Sequence, residues 1–183
     1  MADPKVLFVH GLEGSPQGAK ARLFAEHFEA QTPAMDTSDF EACVAVQRAA
    51  IEAFRPDVLV GSSFGGAVAV ALLATGAWRG PTLLLAQAAV HYDPAASLPQ
   101  DVTVWLAHGT GDTLIPVEHS RRLAATGDPE RVRVIEVDDD HPLHASVENG
   151  DLLDWVRAIA RAESDASVGG AGKLDRGQEN GES

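Results

Sequence analysis

Three apolar residues, Val58, Leu59 and Val60, lead into Gly61, and after Ser62, Ser63 and Phe64 two more glycines open a second run with no polar residue until Thr75. Between the two runs stands the pattern Gly-x-Ser-x-Gly, with Ser63 at its centre. A buried strand that turns at once into a buried helix leaves space at the bend only for minimal side chains, which glycine supplies on both sides. The serine hydroxyl is then held out at the carboxyl edge of a sheet, above a helix N-terminus. The three fixed positions alone match by chance at roughly 3 in 10,000 starting points, so the flanking segments carry the weight. The plainer alternative is a tight turn in which Ser63 is an ordinary helix cap.

The rest of the chain reads as alternating strands and helices. Residues 5–10, Lys-Val-Leu-Phe-Val-His, form a continuous apolar run suited to a strand covered on both faces. Glycines at positions 11 and 14 make a turn, and Ser15-Pro16 offers a cap and first position for a helix carrying Leu23, Phe24, His27 and Phe28. A short strand is expected within 31–35 and a helix over about 38–54, opened by a Ser38/Glu41 capping box and broken by Arg55-Pro56. The run from 64 to 75 has no polar face, as a helix buried all round would. Strands follow at 82–86, 102–107 and 131–137, the last alternating charged and apolar residues as an edge strand does. Residues 88–99 read as a loop holding His91 and Tyr92, Pro116 starts a helix, and a final amphipathic helix ends near Ala162. This pattern predicts an α/β three-layer sandwich, a mostly parallel sheet with helices on both faces.

At 183 residues the chain suits one such domain, assigned to 1–163, with 164–183 a Gly-, Ser- and charge-rich tail expected to be disordered. No segment has the ~18 consecutive apolar residues that span a bilayer. The N-terminus lacks a basic leader and cleavage site, and the single cysteine, Cys43, fits a reducing cytoplasm. A net charge of −13 argues against nucleic acid and anionic membranes as partners, since both require basic patches.

Polar residues of interest fall at the expected carboxyl ends of strands, where ligands of open α/β sheets bind. A serine hydroxyl needs a base, commonly histidine, and the histidine's second nitrogen needs a carboxylate to fix its tautomer. The chain offers Ser63, then Asp112, then His141, each after a different strand. His144 competes with His141, and Asp138, Asp139 and Asp140 compete with Asp112 as the acid. The aspartate run also admits a metal reading, but a solvated acidic turn is far commoner, and no close-spaced ligand motif is present; neither metal nor cofactor is expected. His10 and His108 each precede a glycine at a strand end and read as partners for loop carbonyls. His91, Tyr92 and Glu13 are candidate pocket walls that contact substrate, or plain surface.

Four segments carry a family resemblance: 10–16 (His-Gly-Leu-Glu-Gly-Ser-Pro), 61–66 (Gly-Ser-Ser-Phe-Gly-Gly), 109–112 with Pro116, and 138–141. On these the chain resembles the small, lidless YqiA-like esterases among the α/β-hydrolases, with the order nucleophile, acid, base that this fold uses. The resemblance implies a minimal core without a lid domain, a triad of Ser63, Asp112 and His141, and an oxyanion hole from the backbone amides of Leu12 and Phe64. It further implies hydrolysis of a small-molecule carboxylic ester through an acyl-Ser63 intermediate, or of a thioester by the same machinery. The Phe64 amide also suits that role independently, because the unpaired N–H groups at a helix start favour negative charge.

Overall fold

The computed structural model describes residues 3–171, with side chains described as far as Ser164. Six strands form one sheet: β1 (Val6–Val9), β2 (Ala30–Gln31), β3 (Val58–Ser62), β4 (Thr82–Leu85), β5 (Val104–Gly109) and β6 (Val132–Val137). Their order is β2-β1-β3-β4-β5-β6, and every neighbouring pair is parallel. The helices are α1 (Ala19–His27), α2 (Phe40–Phe54), α3 (Phe64–Ala74), α4 (Ala89–Tyr92), α5 (Val117–Ala124), α6 (His144–Asn149) and α7 (Asp151–Ala171).

Period-two alternation in the strands sorts the core into two layers. Leu7, Val9 and Leu59 point to one face with Cys43, the α3 residues Val68 and Leu72, and Leu123 of α5. Val6, Phe8, Val58 and Val60 point to the other with Phe24 of α1 and Leu152, Val156 and Ile159 of α7. Both faces are therefore covered, and β1, β3 and β4 are buried at every residue, as their unbroken apolar runs require. β6 is the edge, and its exposed Arg133 and Glu136 are the charged members of the alternation.

Several boundaries differ from the sequence expectation. Ser15 does not start α1: its hydroxyl accepts the Gln17 N–H at 3.2 Å in a separate turn, and α1 begins after Gly18 without a side-chain cap. Asp39, not Ser38, caps α2 by accepting the Ala42 N–H at 2.9 Å, because Ser38 is held by Asp36. The 88–99 segment contains a single helical turn, α4. α7 continues to Ala171, past the expected end near Ala162, and residues 172–183 of the expected tail lie outside the described residues.

Candidate active site

Ser63 occupies the bend between β3 and α3 at φ 52 and ψ −115, a conformation that L-residues rarely adopt. Its glycine neighbours are required by space. A Cβ on Gly61 would lie 2.6 Å from the Gly65 carbonyl oxygen, and one on Gly65 would lie 2.0 Å from that of Val9. The bend is tied to the next strand as well, since the Ser63 N–H donates to the Leu85 carbonyl at 2.9 Å and the Ser63 carbonyl accepts the Ala88 N–H at 3.0 Å.

The Ser63 Oγ lies 3.0 Å from His141 Nε2, and His141 Nδ1 lies 2.6 Å from Asp112 Oδ2. An ionised carboxylate only accepts, so Nδ1 carries the hydrogen and Nε2 is left to accept the Ser63 hydroxyl proton. The Asp112 side chain is fully buried, and its other oxygen accepts the Leu114 and Ile115 N–H groups at 2.8 Å each. These are the partners that a buried charge needs. The order legible in the chain thus becomes one hydrogen-bonded line across the ends of β3, β5 and β6.

The competitors are committed elsewhere. His144 is exposed, stands first in α6, and its Nδ1 lies 2.6 Å from Asp140 Oδ2. Asp139 accepts from the Ala145 and Ser146 N–H groups and from the Ser146 hydroxyl at 3.2, 2.9 and 2.8 Å, holding the start of α6. Burial alone would raise the Asp139 carboxyl, but these bonds with the Asp140 N–H outweigh it and hold it below the ordinary range. The His144 side-chain hydrogen bond does the same for Asp140. Asp138 is exposed.

A cleft of about 400 Å³ opens over Ser63 and His141, walled by Phe8, His10, Leu12, Glu13, Lys20 and Leu114 among others. The loop after β1 passes close to the serine: a Cβ on Gly11 would lie 3.3 Å from Ser63 Cβ. The backbone amides of Leu12 and Phe64, one from that loop and one from the first residue of α3, have no backbone acceptor among the described residues. Of the three candidate substrate contacts, Glu13 lines this cleft and His91 and Tyr92 do not. Tyr92 instead packs on Phe40 and Phe64, ring centroids 6.0 and 5.4 Å away, with His91 beside it at 5.5 Å. The helical turn of α4, unread in the sequence, directs Tyr92 onto α2 and α3 and leaves His91 exposed beside it.

Lys20 escaped the sequence reading, and His10, read there as a partner for a loop carbonyl, meets that expectation but also stands in the cleft wall. Lys20 is half-buried, and burial pushes its ammonium below the ordinary lysine value against the opposing pull of Asp140 and Asp139. His10 bonds the Gly11 carbonyl through Nδ1 at 2.9 Å, while its buried Nε2 has no partner among the described residues. A helix start displaced to Gly18 is what turns Lys20 toward the wall, and nothing in the local sequence announces it.

Residues 5–79 match the model of an uncharacterised protein family, UPF0227. No curated protein sequence matches the chain. Among solved structures, a putative hydrolase of the alpha/beta superfamily from Xanthomonas campestris superposes at TM-score 0.66 with 23% identity, over 90% of this chain and 99% of that one. The fold is that of the α/β-hydrolases. Est1E from Butyrivibrio proteoclasticus matches this α/β-hydrolase fold at TM-score 0.69 and 12% identity, over 90% of this chain and 89% of its own. A serine hydrolase without lid, also from X. campestris, matches at 0.65 and 17%, over 88% and 83%. The UPF0227 segment spans β1 to the end of α3, which includes the Ser63 bend and the loop that approaches it.

Proposed function

We propose that this α/β-hydrolase-fold protein is a serine esterase that cleaves small carboxylic esters through an acyl-Ser63 intermediate. The observation that carries the proposal is the continuous line Ser63–His141–Asp112, with contacts of 3.0 and 2.6 Å. Ser63 Oγ attacks the ester carbonyl while its proton passes to His141 Nε2. The negative charge formed on the carbonyl oxygen is taken by the Leu12 and Phe64 N–H groups, each worth about 100- to 1,000-fold in rate. Collapse breaks the ester C–O bond, and His141 returns the proton to the departing alcohol. A water molecule, deprotonated by the same nitrogen, then releases the acid and restores Ser63. Asp112 keeps the imidazole in the tautomer this cycle needs and stabilises the imidazolium formed within it.

The cleft is open at the carboxyl edge, and no inserted segment covers it among the described residues. That favours short acyl chains over long lipids. A fluorophosphonate probe should label the wild-type protein and fail to label Ser63→Ala; an unlabelled wild type would sink the proposal. Short-chain nitrophenyl esters assayed beside acyl thioesters should give the higher kcat/KM, and the reverse ranking would make the protein a thioesterase.

A further inference from the structure

Behind Asp112 lies a buried row of side chains that the proposed reaction does not use: Gln87, Ser120 and His108, each with no exposed surface. Its hydrogen-bond directions are set at both ends by the backbone. At one end the Ala89 N–H, which can only donate, meets Gln87 Oε1 at 2.7 Å, so the amide of Gln87 presents its NH2 to the Ser120 Oγ at 3.3 Å. With that lone pair occupied, the Ser120 hydroxyl directs its own hydrogen to His108 Nδ1, 2.8 Å away. At the other end the Ile115 carbonyl, which can only accept, lies 2.9 Å from His108 Nε2. Both ends therefore specify the same species, a neutral His108 protonated on Nε2. A doubly protonated imidazole would leave the Ser120 hydrogen buried without an acceptor, at the cost of a lost hydrogen bond.

We propose that His108 is a positioning residue for Asp112 and, through it, for His141. The His108 Nε2 hydrogen clamps the carbonyl of Ile115, whose own N–H is one of the two held by Asp112 Oδ1. The same Nε2 lies 3.1 Å from Asp112 Oδ2, the oxygen that accepts from His141 at 2.6 Å. With its hydrogen directed at the Ile115 carbonyl, the His108 ring edge stands beside that oxygen as a partial positive charge, not as a second hydrogen bond, and draws charge from it. The row also closes on the nucleophile. Ala88, between Gln87 and Ala89, donates its N–H to the Ser63 carbonyl at 3.0 Å. Backbone of the serine, row, acid, base and serine hydroxyl form one ring of hydrogen bonds.

This inference rests on the proposed role of the triad, but its direct test does not require turnover. Nitrogen-15 NMR should find His108 of the wild-type protein protonated on Nε2 and bare on Nδ1 at neutral pH. In Ser120→Ala the donor to Nδ1 is gone and the ring is held through Ile115 alone, so Nε2 stands less firmly beside Asp112 Oδ2 and the His141 Nδ1 proton resonance should move downfield. For hydrolysis of a neutral short-chain ester, the acid limb of the kcat/KM profile should move to higher pH by about half a unit to one unit, the scale of one close dipole lost from a carboxylate. His108→Gln, which restores an N–H donor, should keep the wild-type limb, whereas His108→Leu should shift it. The surrounding charges, Asp139, Asp140 and His144 on the His141 loop, Glu13, Lys20 and His10 on the cleft wall and Glu136 near His108, are the same in all variants. A wild-type His108 protonated on Nδ1, or a Ser120→Ala protein with unchanged His141 resonance, would overturn the proposal. If the wild type hydrolyses no ester, the esterase reading fails while the NMR arms still decide the role of His108. If His108→Leu does not fold, Ser120→Ala, which removes one oxygen atom, carries the test.

Discussion

Ser63 holds its strained backbone because groups on three sides fix it: Leu85 and Ala88 take its amide and carbonyl, and the glycines on either side admit no alternative packing. Single atoms matter equally at Asp112, where the difference between oxygen and NH2 decides which nitrogen of His141 carries the hydrogen. Asp112→Asn should leave the fold intact and lower kcat by roughly 10,000-fold, as the same change does in a serine protease triad. A rate within tenfold of wild type would move the acid role to another group. Lys20 offers a contrasting prediction about stability. Its folded-state value is lowered by burial, so the unfolded chain binds the proton more readily, and stability rises with pH between the lowered value and the ordinary 10.5. Its charge also stands in the first turn of α1, where the helix dipole disfavours a cation. Lys20→Met should therefore raise Tm at neutral pH by roughly 1–3 °C and flatten the alkaline rise in stability, measured by thermal unfolding from pH 6 to 10.5.

At the scale of elements, the decisive contact is between the start of α3 and the end of β1. α3 can approach the sheet only because Gly65 has no side chain, since a Cβ there would penetrate the Val9 and His10 carbonyl oxygens at 2.0 and 2.6 Å. Neither is the end of a flexible side chain, so nothing can yield without shifting β1. Gly65→Ala is expected to abolish cooperative folding or lower Tm by more than 10 °C, the consequence of roughly 3 kcal/mol or more of overpacking. A near-native melting curve would show that β1 and α3 can separate freely. The elements also explain what was legible beforehand. Glycines at 61, 65 and 66 announce a tight bend, so the strand–bend–helix unit could be read from residue types alone, although the atoms that exclude a side chain at 65 and 66 belong to β1 and Gln87. The start of α1 could not, because Ser15-Pro16 satisfies every local rule for a helix start and the chain uses it for a turn instead. Capping residues report that a turn is near, and tertiary packing selects which of two adjacent turns is extended.

For the whole molecule, the order β2-β1-β3-β4-β5-β6 places β3 beside β1 and brings the β1 loop to the serine, while the segments after β5 and β6 bring Asp112 and His141 to the same edge. No described segment crosses over that edge, so the cleft faces solvent. On a panel of nitrophenyl esters from two to sixteen carbons, kcat/KM should peak at the short end, and adding a lipid–water interface should not raise it. A peak at long chains, or a jump in rate above substrate solubility, would contradict the open site. The net charge of −13 works against a polyanionic substrate and fits the small neutral ester proposed.

What the sequence determined by itself is the set of segments and the short list of candidates for the site: buried strands, a glycine-flanked serine, and acids and histidines after later strands. Those follow from hydrophobic period and from the space a side chain occupies, both properties of neighbours along the chain. Only the tertiary structure decided which carboxylate and which histidine join Ser63, that Tyr92 packs on α2 and α3 with His91 beside it and neither lines the cleft, and that Lys20 and His10 stand in its wall. It alone revealed the row from Gln87 to His108, whose members lie in the turn after β4, on α5 and on β5 and meet only where parallel strands bring their ends together. Hydrogen-bond direction at such a site is fixed by which partners are brought within 3 Å, and sequence spacing carries no record of that.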